Sequence, residues 1–152
     1  MRTQHRWTVL ILLGVLCASF LVAQTSPVLA AEKSIVWDAF DVDIQVNTSG
    51  TFDVTERQSI RFIDGTFTFG YRNIPKRNLG YIDNWTVTDD SGNSYTQAAG
   101  GNDPYTFVID DTGGEYVVRW YFPATDDPET YTLQYTVHDG LRYYPDGDQV
   151  WW

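Results

Sequence analysis

Beyond Ala31, apolar side chains recur at every second position, and turn residues cut the pattern about every ten residues. Helical spacing is absent from the same stretch. Period two puts successive side chains on opposite faces of a strand, so each strand offers one face to a core and one to water. Repeated short strands with frequent turns point to an all-β fold. The expectation is an Ig-like antiparallel β-sandwich of about 7–9 strands. Thr130 to Val137 alternates most cleanly, with Tyr131, Leu133, Tyr135 and Val137 inward. Tyr116, Val118, Trp120 and Phe122 share a face in the preceding strand. A first strand over about Ile35–Val46 directs Phe40, Val42, Ile44 and Val46 inward and Asp41, Asp43 and Gln45 outward.

One strand breaks the rule. Over Thr51–Ile63, Phe52, Val54, Ile60 and Phe62 keep the inward parity, and the same count puts Glu56 and Gln58 inward. Either a bulge shifts the parity, or Glu56 is buried and needs a partner. Asp64-Gly65 then signals a two-residue hairpin. The next strand sets Phe67, Phe69 and Tyr71 against Thr66, Thr68 and Gly70, and stops at Asn73-Ile74-Pro75. Arg72 is the nearest basic residue able to answer Glu56. The two are expected to form a structural pair that holds this hairpin in register.

The N-terminus has a different character. Arg2, His5 and Arg6 precede an apolar run from Val9 to Ala23, then Gln24-Thr25-Ser26-Pro27, then Val28-Leu29-Ala30-Ala31. A positive head, a short apolar core and small residues spaced for cleavage are the layout of a secretory signal peptide. Residues 1–30 are therefore expected to be removed after Ala30, leaving a β-sandwich over 31–138 and an acidic, aromatic tail over 139–152. The apolar run falls short of the ~20 residues that span a bilayer. Cys17 is the single cysteine and lies in that run, so the exported domain uses no disulfide. Without Arg2 and Arg6, the ten basic residues fall to eight against twenty acidic ones, a net charge of −12. That balance disfavours nucleic acid and anionic lipid as partners.

An ordered set of motifs carries a resemblance: Asn47 and Gly50, Val54-Thr55-Glu56, Ile60 and Phe62, Arg72 with Ile74-Pro75, Tyr131-Thr132-Leu133 with Tyr135 and Val137, and Trp151 or Trp152. Together they resemble the N-terminal extracytoplasmic domain of the YciQ-like family of predicted prokaryotic membrane proteins, a domain of unknown function. The resemblance implies an Ig-like domain outside the cytoplasmic membrane, followed in family members by transmembrane helices and often a Gly-rich tail. It supplies no catalytic residues. Against that pattern the chain ends at Trp152, which leaves a fragment, a truncated product and a free secreted form as readings. Membrane attachment would then come through a downstream segment or an uncleaved signal.

Little catalytic chemistry is visible. After the leader there is one histidine, His138, and no nucleophile elbow. Asp89-Asp90, Asp110-Asp111 and Asp126-Asp127 sit where Asp marks turns. Asp146-Gly147-Asp148 and Asp89 to Asn93 offer oxygens to calcium, but neither has the twelve-residue loop closed by Glu. The expectation is a non-catalytic module of the cell envelope, without metal or cofactor, that binds an envelope protein or glycan or plays a structural part. A carbohydrate- or calcium-binding module is the alternative. Tyr143, Tyr144, Trp151 and Trp152 fall outside the core alternation and form a candidate binding patch.

Overall fold

The computed structural model describes residues 32–151. The expected signal segment and Trp152 lie outside the described residues. One four-stranded sheet has the order β1 (Ser34–Val46), β2 (Phe52–Asp64), β8 (Glu129–Val137), β4 (Ile82–Asp89). The other has the order β3 (Phe67–Pro75), β7 (Glu115–Thr125), β6 (Thr106–Asp111), β5 (Thr96–Gln97). All pairings in both sheets are antiparallel except β5 with β6. β9 (Leu141–Arg142) and β10 (Gln149–Val150) make a separate two-residue hairpin.

The sheets pack face to face, as the alternation requires. Ile60, Phe62, Tyr131 and Leu133 of the first sheet share a buried cluster with Phe107, Val118, Trp120 and Phe122 of the second. Phe52, Val54, Tyr135, Val137 and Ile82 meet Ile74 and Tyr116 in another. β8 is central and all four of its inward residues are buried. The fold is thus an all-β sandwich of eight strands plus the small terminal hairpin.

Three sequence expectations are corrected. First, β2 and β3 do not form a hairpin. Both edges of β2 are taken, by β1 and β8, and β3 pairs with β7 in the opposite sheet. The Asp64-Gly65 turn, with Gly65 at φ 79°, carries the chain across the core, and Phe62 stacks on Phe67 at 4.6 Å. Second, the apolar parity of β3 inverts. A register shift between Phe67 and Phe69 sends Phe69 and Tyr71 outward and puts Gly70 opposite buried Trp120. The Trp120 indole covers Gly70 so closely that a Cβ there would lie 2.4 Å from it. Third, β1 keeps its alternation but its apolar face is only partly covered. Phe40, Val42 and Val46 remain 38–53% exposed, and of this face only Ile44 packs on the core, because β1 is an edge strand that the described residues cover incompletely.

Candidate binding site

β2 holds its parity from Phe52 to Phe62, so Glu56 and Gln58 point inward and both are 0% exposed. The bulge lies instead on its neighbour, where Asp38 has no cross-strand partner between Trp37 and Ala39. That extra residue resets β1, so Trp37, opposite Ile60, and Phe40, opposite Gln58, both face inward. On β3, the inverted parity turns Arg72 toward the core.

The two charges meet across the sandwich. Arg72 Nε donates to Glu56 Oε2 at 2.9 Å and Oε1 at 3.1 Å. The Tyr135 hydroxyl donates to Oε1 at 2.8 Å, and Gln58 Nε2 donates to Oε2 at 3.2 Å. Arg72 also donates to the Asn73 carbonyl at 2.7 Å and lies over the Phe40 ring, 5.5 Å from its centroid. A carboxylate removed from water is costly unless its lone pairs are met, and here three side chains from β2, β3 and β8 meet them. The pair therefore clamps one sheet to the other rather than registering a hairpin.

Beside the clamp the sandwich opens. Between the edge strands β1 and β3 lies a cleft of about 530 Å³. Ile35, Trp37 and Phe40 form one wall, and the β3 segment from Phe67 to Asn73 forms the other. Gln58, Ile60, Trp120 and Tyr131 floor it. Trp37 and Phe40 are in ring contact at 5.7 Å, and Trp37 is 47% exposed and Tyr71 61%. Two buried polar atoms of the floor, Gln58 Oε1 and Trp120 Nε1, have no hydrogen-bond partner among the described protein atoms. Gln58's orientation is fixed by Glu56, since turning the amide over would set its carbonyl against a carboxylate.

The other sequence candidates lie elsewhere. Tyr143, Tyr144 and Trp151 are exposed on or beside the β9/β10 hairpin, and none lines the cleft. The Tyr143 hydroxyl sits over the Gly50 turn, and Trp151 N donates to the Gly140 carbonyl. His138 stacks on Tyr81 at 3.9 Å and its Nε2 is 2.9 Å from Asp83 Oδ1. Asp89 accepts from Asn93 N and Nδ2 and from the Tyr95 hydroxyl, which closes its turn. Among the described residues, no group of three or more His, Cys, Asp or Glu side chains is placed to hold a metal ion. Near that turn, burial first and then the Asp90, Asp89 and Asp127 carboxyls push Glu129 up to about 7.

Residues 37–152 match the family described as predicted membrane protein (DUF2207), N-terminal domain. The chain belongs to this family. The match gives the domain description and does not carry the YciQ-like name. No curated protein matches the chain, and no solved structure does. Among the described residues of this DUF2207 domain, no helix is long and apolar enough to cross a membrane.

The cleft residues Trp37, Phe40, Tyr71 and Trp120 escaped sequence reasoning as site candidates. Phe40, Tyr71 and Trp120 alternate like covered core, Trp37 falls on the opposite parity until the Asp38 bulge turns it inward, and nothing in a single strand's pattern says whether a facing strand exists. The available signal was Gly70 among aromatics, which marks a close approach.

Proposed function

We propose that this domain is a non-catalytic recognition module on the outer side of the cytoplasmic membrane, and that it binds in the cleft between β1 and β3. One observation carries the reading. Inner-face aromatics at the mouth, Trp37 and Phe40, stay more than 40% exposed although both face inward. A contiguous exposed apolar surface with a few convergent polar groups is the usual form of a binding site. The role of a binder rather than an enzyme is supported by the position of His138, the single histidine beyond the leader, which does not line the cleft. An outer location is supported by the leader layout of residues 1–30. A carbohydrate fits this cleft less well, because its lining is mostly aromatic and aliphatic and offers few polar groups to a sugar's many hydroxyls.

The test is titration of the folded chain with the neutral apolar dye N-phenyl-1-naphthylamine. Saturable fluorescence enhancement is expected, with loss of that signal in Trp37→Glu, whose circular dichroism stays native. An absent signal, or one unchanged by Trp37→Glu, overturns the assignment of the cleft. Protease added to intact cells carrying the full-length protein is expected to clip this domain; protection until lysis would place it inside.

A further inference from the structure

Resting on the cleft reading above, we propose that the occupant is an extended strand from a partner protein, laid along the free edge of β3. It seats one hydroxyl- or amide-bearing side chain on Gln58 and Trp120. Three observations converge on this occupant. Among the described residues, β3 ends the second sheet, while Trp37, Phe40 and Val42 on the inner face of β1 stay exposed and only Ile44 packs on the core. A strand added beside β3 would extend the sheet over Trp37, Phe40 and Val42 and cover them. The edge itself is open to pairing. Among the described residues β3 pairs only with β7, and it carries no lysine or proline until Pro75, the residues that commonly protect an edge. Finally, the floor sets a chemical requirement. Gln58 Oε1 lacks a donor and Trp120 Nε1 lacks an acceptor, and both residues are at most 1% exposed. A hydroxyl or an amide has both capacities these atoms require, a proton for the Gln58 oxygen and a lone pair for the indole N–H.

Of the chain's own edge strands, β1 offers Phe40, Val42, Ile44 and Val46 on its inner face with no hydroxyl or amide, whereas β3 and β4 do carry such side chains, so it is the acidic charge of the domain, repelling a second copy, that favours a partner. The open edge favours a strand over a small molecule, which leaves the free backbone edge unpaired. The net charge of −12 beyond the leader favours cationic residues at the partner's outward positions.

The experiment uses a capped peptide as long as β3, alternating valine and lysine, with threonine at the central inward position. Two companions accompany it: one with valine in place of threonine, and one with the threonine sequence N-methylated at alternate backbone nitrogens. Each is titrated against the chain loaded with N-phenyl-1-naphthylamine. The threonine peptide is expected to displace the dye and bind about tenfold more tightly than the valine peptide. The N-methylated peptide is expected not to bind. In Trp120→Phe, and independently in Gln58→Met, the threonine preference is expected to disappear. Dye binding without displacement by the threonine peptide overturns this inference and leaves the cleft reading standing, whereas no dye binding overturns both. Equal binding of the N-methylated peptide overturns strand pairing. Equal binding of the valine peptide to the unaltered chain overturns the role of Gln58 and Trp120. A chain that sediments as a dimer and is split by the peptide assigns the strand to a second copy and overturns the partner.

Discussion

Glu56 is buried at 0% exposure with hydrogen bonds from Arg72, Tyr135 and Gln58, and this sets the cost of disturbing it. Arg72→Met strands a carboxylate in the core and is expected to lower unfolding free energy by about 3–5 kcal/mol in urea titration. Glu56→Leu combined with Arg72→Met removes both charges and is expected to recover most of that loss. A double variant as unstable as the single one would mean that the clamp is not the source. Gly70→Ala drives a methyl into the Trp120 ring and is expected to cost about 1–3 kcal/mol by the same titration. Glu129 supplies a pH signature. Its folded value of about 7 lies above the ordinary 4.5, so the folded state holds a proton that the unfolded state has released between those values. Stability from this group is full below about 4.5 and is lost as pH rises through about 7. The urea midpoint is expected to fall between pH 5 and pH 8, and Glu129→Gln is expected to flatten that slope. At this scale, counting parity along one strand was enough to mark Glu56 as inward. The same count could not find Tyr135 or Gln58 as donors, because cross-strand neighbours depend on which strands pair.

Strands differ in what covers them, and their tolerance should differ accordingly. β8 lies between β2 and β4 under the second sheet, whereas β1 has one neighbour and an open inner face. Leu133→Ala leaves a cavity in β8 and is expected to cost about 2–5 kcal/mol. Phe40→Ala on β1 is expected to cost about 1 kcal/mol, since much of that ring is already in water. Equal losses at the two positions, measured by urea unfolding, would mean that β1 is covered after all. The alternation of β7 and β8 was fully legible, because both strands are central and their patterns meet no exception. The Asp64-Gly65 turn was legible as a turn but not as a crossing. Its residues permit the reversal, and the occupied edges of β2 decide that the chain changes sheets. β3 misled because its aromatic residues look like core, while Trp120 claims the inner space beside Gly70.

In the whole molecule, eight strands close a core on one side and leave the β1/β3 side open. Fold class and family were readable from periodicity and from ordered motifs, since these are properties of each strand taken singly. The opening was not, because it arises from unequal overlap of two sheets, and that emerges only when all pairings are known. The exposed aromatic tail drew attention because Tyr143 and Tyr144 break the alternation; in the cleft Phe40 obeys it, and Trp37 reaches the inner face only through the Asp38 bulge. Recognition in the cleft is the central claim, and the indole N–H resonances of a ¹⁵N-labelled chain report on it directly. On titration with N-phenyl-1-naphthylamine, the Trp37 and Trp120 signals are expected to shift together while Trp151 stays in place. Movement of Trp151 with Trp37 and Trp120 unchanged would contradict the account and return the site to the terminal hairpin.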